Sequence, residues 1–152
     1  MSKYNFEWNA NDYKTPPILY EKALCHWGID KFDLDTCCTV ENIPAREYCK
    51  NGITDGLSVD WRRFNWCNPP FNECAKWIKK AYDEQIKGNE TFMLIPVRTE
   101  TKYWHDYILY NDKVKIFWLR KGYEFINPDT NKTCGVFKNA LALVYFSSKC
   151  CI

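Results

Sequence analysis

A chain of 152 residues is about the size of one domain, so the sequence predicts a single module over residues 1–152, without a large separate recognition domain. Hydrophobic residues at 46% and charged residues at 26% exclude a disordered tail or a fibrous repeat. Twenty-one basic against nineteen acidic residues leave a formal charge of only +2, so any nucleic-acid contact must come from local patches.

Aromatic residues reach 17%, more than a core of this size needs, which predicts rings exposed for contact. The first thirteen residues hold no apolar run of signal-peptide type, and the longest apolar run, 140–146, is too short to cross a bilayer. A soluble, cytoplasmic protein with no membrane partner is expected. The nine cysteines are odd in number, no pair is spaced C-x2-C, and only two histidines accompany them, so free thiols and no metal site are expected.

In chain order, Thr15 reads as the N-cap of a helix with Pro16 at its first position and Gly28 as its stop. Residues 31–35 alternate as a short strand that finishes on Asp35. Residues 46–49 read as a weak strand and 64–67 as a stronger one, running directly into Asn68-Pro69-Pro70-Phe71. From Asn72 a helix follows, with Cys74, Trp77, Ile78, Ala81, Tyr82 and Ile86 on its apolar face and Gly88 after it. Residues 91–97 read as a strand covered on both faces. A helix over 101–110 and strands over 114–119 and 140–146 complete the pattern, with a polar, turn-rich stretch between them over 122–138. Strands alternating with helices predict a three-layer α/β fold with a mainly parallel sheet, and ligands bind outside the carboxyl ends of such strands. Asp35 and Asn68 are both expected there.

The tetrapeptide carries the most chemistry. Two consecutive prolines remove two amide donors and hold Asn68 and Pro69 extended, so the loop presents acceptors: the Asn68 amide oxygen and the Pro69 carbonyl, with the Phe71 ring as a wall. That set suits a planar exocyclic amine such as adenine N6. Acceptors aimed at its hydrogens stabilise the positive charge that develops as the nitrogen attacks an electrophile. The plainer reading is a strand-ending turn with a core phenylalanine.

The tetrapeptide resembles motif IV, [DNS]-P-P-[FYW], of amino-group methyltransferases that use S-adenosylmethionine. Thr15-Pro16, Phe32-Asp33-Leu34-Asp35, Asp55-Gly56-Leu57 with Asp60-Trp61, Trp77, Ile95-Pro96-Val97-Arg98-Thr99 with Thr101, and Trp104-His105 resemble, in order, the bacteriophage DNA N6-adenine (phage Dam-like) methyltransferases. The match runs from about Trp8 to Phe146. It is looser late in the chain, where Gly122-Tyr123-Glu124-Phe125 stands in place of Gly-Arg-x-x-Phe.

This resemblance implies a Rossmann-like methyltransferase fold, S-adenosyl-L-methionine as cofactor and an adenine flipped out of DNA. It implies that Thr15 and Pro16 close over the methionine part of the cofactor, that Asp35 anchors its amino acid end and that Asp55 accepts from its adenine. Asn68, Pro69, Pro70 and Phe71 then form the catalytic corner. Arg98, Thr99 and Trp104 are expected to contact substrate at its mouth, with Trp104 as a core residue the alternative. No Gly-x-Gly turn follows Asp35. Arg62, Arg63, Lys79, Lys80, Arg98, Lys102 and Arg120 are the candidates for phosphate contacts, against a reading as solvated surface. The same chemistry on RNA adenine or a protein glutamine amide, or a non-catalytic decoy, are the alternatives, and a homodimer would supply further DNA contacts.

Overall fold

The computed structural model describes residues 14–120, 123–136 and 139–151. The chain forms α1 (Pro17–Trp27), β1 (Phe32–Cys38), β2 (Ala45–Lys50), β3 (Phe64–Cys67), α2 (Cys74–Ile86), β4 (Glu90–Pro96), α3 (Lys102–Trp104), β5 (Val114–Trp118), β6 (Glu124–Ile126), β7 (Thr133–Val136) and β8 (Leu141–Phe146). A 3-10 turn, Phe71–Glu73, leads into α2, and a π-helical turn, His105–Leu109, continues α3.

The result is a mixed α/β fold around a six-stranded sheet ordered β2-β1-β3-β4-β8-β5. Neighbours from β2 through β4 are parallel, whereas β8 runs antiparallel to both β4 and β5. The sheet is therefore more mixed than the alternation of elements suggests. A short hairpin, β6–β7, lies in the stretch that reads as polar and turn-rich. Its corner closes through Asn127, whose side-chain oxygen accepts from the amides of Asp129 and Thr130.

Strands β4 and β8 show why the sheet is buried on both faces. Phe92 and Leu94 join Leu141, Leu143 and Tyr145 on one side, packed with Leu19, Ala23 and Leu24 of α1. Met93 and Ile95 join Ala142, Val144 and Phe146 on the other, packed with Trp77, Ile78 and Ala81 of α2 and with Trp104. Period-2 alternation over an uninterrupted apolar run requires such a two-sided core. Each large side chain so buried contributes about 1.5–3 kcal/mol before entropy is counted.

Local differences from the sequence reading have local causes. Helix α1 starts one residue late: Pro16 is the N-cap, Pro17 the first helical residue, and no side chain caps the end. Thr15 therefore does not cap the helix. Gly28 ends it as expected, in the left-handed region at φ 67°. Strand β1 runs on past Asp35 to Cys38 because β2 continues to pair with it, with a register slip between Asp35 and Cys38. Ile86 is 69% exposed, while Glu84 and Gln85 in the same turn of α2 are buried. Glu84 accepts from Lys80 and Lys87 and from Asn89, a set of partners that turns the last turn of the helix inward.

The link from β1 to β2 is also unusual. Residues 39–44 must return the length of the strand, about 20 Å, which six residues reach only when extended. No helix fits there.

Candidate active site

The chain leaves β1 towards β2 on one side and comes back to β3 on the other, so the strand order reverses between β1 and β3. Ligands of open α/β sheets sit outside the carboxyl ends of the strands at such a point. Pairing of β1 with β3 runs through Leu34–Asn65 and Asp35–Trp66. Asp35 and Thr36 on β1, and Asn68 just past β3, flank this position.

Asp35 is 2% exposed. Its Oδ1 accepts from the Cys37 amide at 3.3 Å, inside the register slip. Burial pushes its carboxyl up to about 8, against weaker lowering by the Cys37 amide and the Cys38 thiol. No cation contributes to that balance among the described residues. An opposite charge brought beside such a buried acid would favour its ionised form.

Asn68 is 4% exposed and its Nδ2 donates to the Thr15 hydroxyl at 3.3 Å. Thr15 is itself 4% exposed. Pro69 is buried, and Pro70 and Phe71 are half-buried, forming the open lip of the corner. Phe71 packs against the cores on both faces of the sheet. The Cys74 thiol, at the first turn of α2, donates to the Pro70 carbonyl at 3.9 Å and so braces the tetrapeptide from behind.

Asp55 lies in an exposed turn of the β2–β3 link. Its carboxylate accepts from the Ser58 hydroxyl at 2.7 Å and the Leu57 amide at 3.0 Å, which hold it below the ordinary carboxylate range. Next to it, Gly56 packs directly on the Thr36 backbone, and the Trp61 indole donates to the Gly56 carbonyl at 2.8 Å. This glycine lets two backbones meet at the end of β1. The Asp55-Gly56 dipeptide signals a turn, but only the fold reveals its packing against Thr36.

At the rim, Arg98 and Thr99 are exposed. Arg98 pairs with Glu100 at 2.6 Å, and the Thr99 carbonyl lies 2.7 Å from His105 Nε2. Trp104 is not at the mouth: it is fully buried, with an indole N–H that has no partner among the described residues. Trp118 stacks on it, ring centres 6.4 Å apart and 16° from parallel, and is 61% exposed. Strand β5 is parallel to β4, so Trp118 ends on the same edge of the sheet as the tetrapeptide.

The expected basic surface is largely neutralised. Five of its seven candidates, Arg62, Lys79, Lys80, Arg98 and Lys102, form ion pairs with acids. Arg63 lies at the start of β3, the far edge of the sheet. There a groove of about 560 Å³ opens over Glu90, whose carboxylate already accepts from Trp27, Tyr145 and Ser148.

Eight cysteines are free thiols among the described residues, and no group of three or more His, Cys, Asp or Glu side chains is placed to hold a metal. No described helix is long and apolar enough to cross a membrane. Trp8 and Gly122 lie outside the described residues.

A mixed α/β sheet thus carries an Asn-Pro-Pro-Phe corner and a buried acid beside its switch point. Comparison with known sequences supplies the family. The sequence profile of the DNA N-6-adenine-methyltransferase (Dam) family matches residues 5–149. Over 155 residues the chain is 31% identical to the DNA N-6-adenine-methyltransferase of Haemophilus phage HP1 (strain HP1c1), covering 98% of this chain and 86% of that protein. The chain belongs to the DNA N-6-adenine-methyltransferase (Dam) family.

Proposed function

We infer that this protein transfers a methyl group from S-adenosylmethionine to N6 of adenine in DNA, the activity of its family, and that Asn68 is the centre of the site. One observation carries the placement: a buried asparagine held by Thr15 at the end of β3, followed by two prolines, beside the switch point. The strand order supports the finer fold reading, a Rossmann-like methyltransferase sheet in one domain. Its parallel half offers the switch point, and antiparallel β8 inserts between β4 and β5.

The described residues fit the cofactor. Asp35, buried with no cation of its own, suits the ammonium of the amino acid end. Thr15 and Pro16, which stand beside Asn68, would close over the methionine part of the cofactor, and Asp55 retains lone pairs for a further donor. When bound, S-adenosylmethionine supplies an electrophilic methyl group at the switch point.

The Asn68 amide oxygen and the Pro69 carbonyl accept the two N–H bonds of adenine N6, and Phe71 stacks against the ring. These acceptors stabilise positive charge on N6 as it forms, without a general base of tuned pKa. The alkylated amine is acidic enough to release its extra proton afterwards. Because the corner is preset by two prolines, most of the rate gain is positional, an effect of up to roughly 7–11 kcal/mol in well-aligned reactions.

Reaching N6 in a duplex requires flipping the base, at a few kcal/mol. With most candidate cations paired to acids, aromatic contact at the rim carries more of the DNA binding. Trp118, exposed and backed by Trp104, is the ring placed to provide it. Arg98, Thr99 and Arg120 border the same edge.

Incubation with labelled methyl donor and unmethylated DNA, followed by nucleoside mass spectrometry, tests the reading. N6-methyladenine is expected, with RNA and glutamine-containing peptide as competitors that leave it unchanged. Absence of that product, or equal product from Asn68→Ala, refutes it.

A further inference from the structure

We propose that Thr15 is a positioning residue for methyl transfer, its hydroxyl holding the Asn68 side chain in the orientation that turns the amide oxygen towards the target amine. This rests on the reading of Asn68 as the residue that accepts from adenine N6.

An asparagine at this place has a difficulty that a carboxylate does not. A carboxylate accepts through either oxygen, whereas an amide accepts at one end and donates at the other. The target amine offers only hydrogens, since its lone pair is conjugated into the ring. An inverted amide would set donor against donor. In the productive orientation the Asn68 NH2 group points away from the substrate into the protein, where an unmade hydrogen bond carries a full desolvation penalty.

Thr15 supplies the partner: a hydroxyl can pair with either end of an amide, and here it accepts from the NH2 group, so the productive orientation leaves no buried donor unmade. Its hydroxyl accepts from Asn68 Nδ2 at 3.3 Å across fifty-three positions of sequence, and both residues are 4% exposed. The hydroxyl is available because the helix end makes no use of it: Pro16 is the N-cap of α1 and no side chain caps that end. Thr15 is also fixed from both directions. Before it, Lys14 exchanges two backbone hydrogen bonds with Ile126 of β6, at 2.7 and 3.0 Å. After it, Pro16 locks the chain at φ −57°. The hairpin is in turn seated by Phe125, which is fully buried among the side chains around α1. The start of α1, the hairpin and the end of β3 thus converge on one hydrogen bond.

Thr15→Val keeps the shape with which residue 15 would close over the cofactor and removes only the hydroxyl that pairs with Asn68, and Thr15→Ser keeps the hydroxyl. Steady-state methylation of unmethylated duplex DNA is measured for each, with S-adenosylmethionine affinity read separately by calorimetry and folding by urea denaturation. Expected is a fall in kcat of roughly 10- to 100-fold for Thr15→Val, the range set by one unmade buried hydrogen bond, with cofactor affinity within about twofold of the parent. Thr15→Ser restores most of it. Unchanged kcat in Thr15→Val overturns the proposal, as does an effect confined to cofactor affinity, or a serine variant as impaired as the valine. A parent enzyme that makes no N6-methyladenine, or Asn68→Ala at parental rate, instead overturns the functional reading beneath it.

Discussion

Gly56 stands so close to Thr36 that a β-carbon placed on it would meet the Thr36 carbonyl oxygen at 1.9 Å and the Trp77 ring at 3.0 Å. The first of these is backbone and cannot swing aside. The turn that carries Asp55 is thereby wedged against the end of β1, beside Asp35, and Trp61 ties it down through the Gly56 carbonyl. Gly56→Ala must push the two backbones apart. The expected cost is about 1–3 kcal/mol, the range for overpacking, read as a lower urea midpoint at unchanged slope. Weaker binding of S-adenosylmethionine accompanies it, because both acids assigned to the cofactor flank this contact. An alanine variant within 0.5 kcal/mol of the parent, roughly the scatter of a neutral surface change, means the wedge is not rigid.

Asp35 ties pH to both folding and binding. Its folded-state pKa of about 8 lies above the ordinary 3.8, so between these values the unfolded chain is ionised while the folded one keeps the proton. The contribution to stability is therefore fully present below about 3.8 and declines as pH rises towards about 8, by at most about 1.4 kcal/mol per unit. Asp35→Asn removes this slope, which urea titrations at pH 5, 6, 7 and 8 measure. Cofactor binding has the opposite sign. An ammonium needs the carboxylate ionised, so affinity rises with pH up to about 8, where the α-amino group, near 7.7–8.0, begins to lose its own charge. Calorimetry showing pH-independent affinity, or full affinity in Asp35→Asn, removes Asp35 from the cofactor site.

How much of this was readable beforehand depended on how local each cause is. The apolar runs that became β4 and β8 and the i, i+3, i+4 face of α2 were legible because burial imposes a period on neighbouring residues. The Asn68 corner was legible because two prolines dictate their own backbone. Threonine before proline normally caps a helix, so the local sequence points Thr15 to that role; its use by Asn68 depends on a residue fifty-three positions away. Glu84 sits on the buried side of α2 against the amphipathic pattern, since Lys80, Lys87 and Asn89 satisfy it. Trp104 and Trp118 are alike in the sequence. Only the fold, by stacking one over the other, decides which is covered. Insertion of β8 between β4 and β5 left no mark in its hydrophobic pattern, because antiparallel and parallel central strands are buried alike.

Trp118 makes the DNA-facing rim testable. A base stacked on an aromatic ring contributes about 1–3 kcal/mol, so Trp118→Ala should weaken DNA binding by roughly 5- to 150-fold at fixed salt. Trp118→Phe should recover most of that loss. Anisotropy with labelled, unmethylated duplex reads the affinity, and S-adenosylmethionine binding serves as the control for folding. If alanine at 118 binds DNA like the parent, the exposed ring has another purpose and the rim must be sought elsewhere.

Glu90 supports the site from the far end of the sheet. Its Oε1 accepts from the Trp27 indole at 2.8 Å and the Tyr145 hydroxyl at 2.7 Å, and its Oε2 from the Ser148 amide at 2.7 Å and hydroxyl at 2.6 Å. Burial raises its carboxyl, but the hydrogen bonds from Ser148, Tyr145 and Trp27 together outweigh this and hold it below the ordinary 4.5. A depressed acid stabilises the fold above its unfolded value, and that stability is lost as pH falls through the folded one. Glu90→Gln puts an NH2 group where donors already converge, so one end of α1 loses its tie to β4. Because hydrogen bonds to charged groups contribute about 1.5–3 kcal/mol each, the variant should lose about 3 kcal/mol at pH 7. The difference should narrow as pH falls from the ordinary 4.5 through the depressed folded value, where the parent's own carboxylate takes up a proton. Urea unfolding at pH 7 and pH 3.5 checks both statements, and a constant gap between the two proteins would show that the carboxylate's charge is not what holds α1 in place.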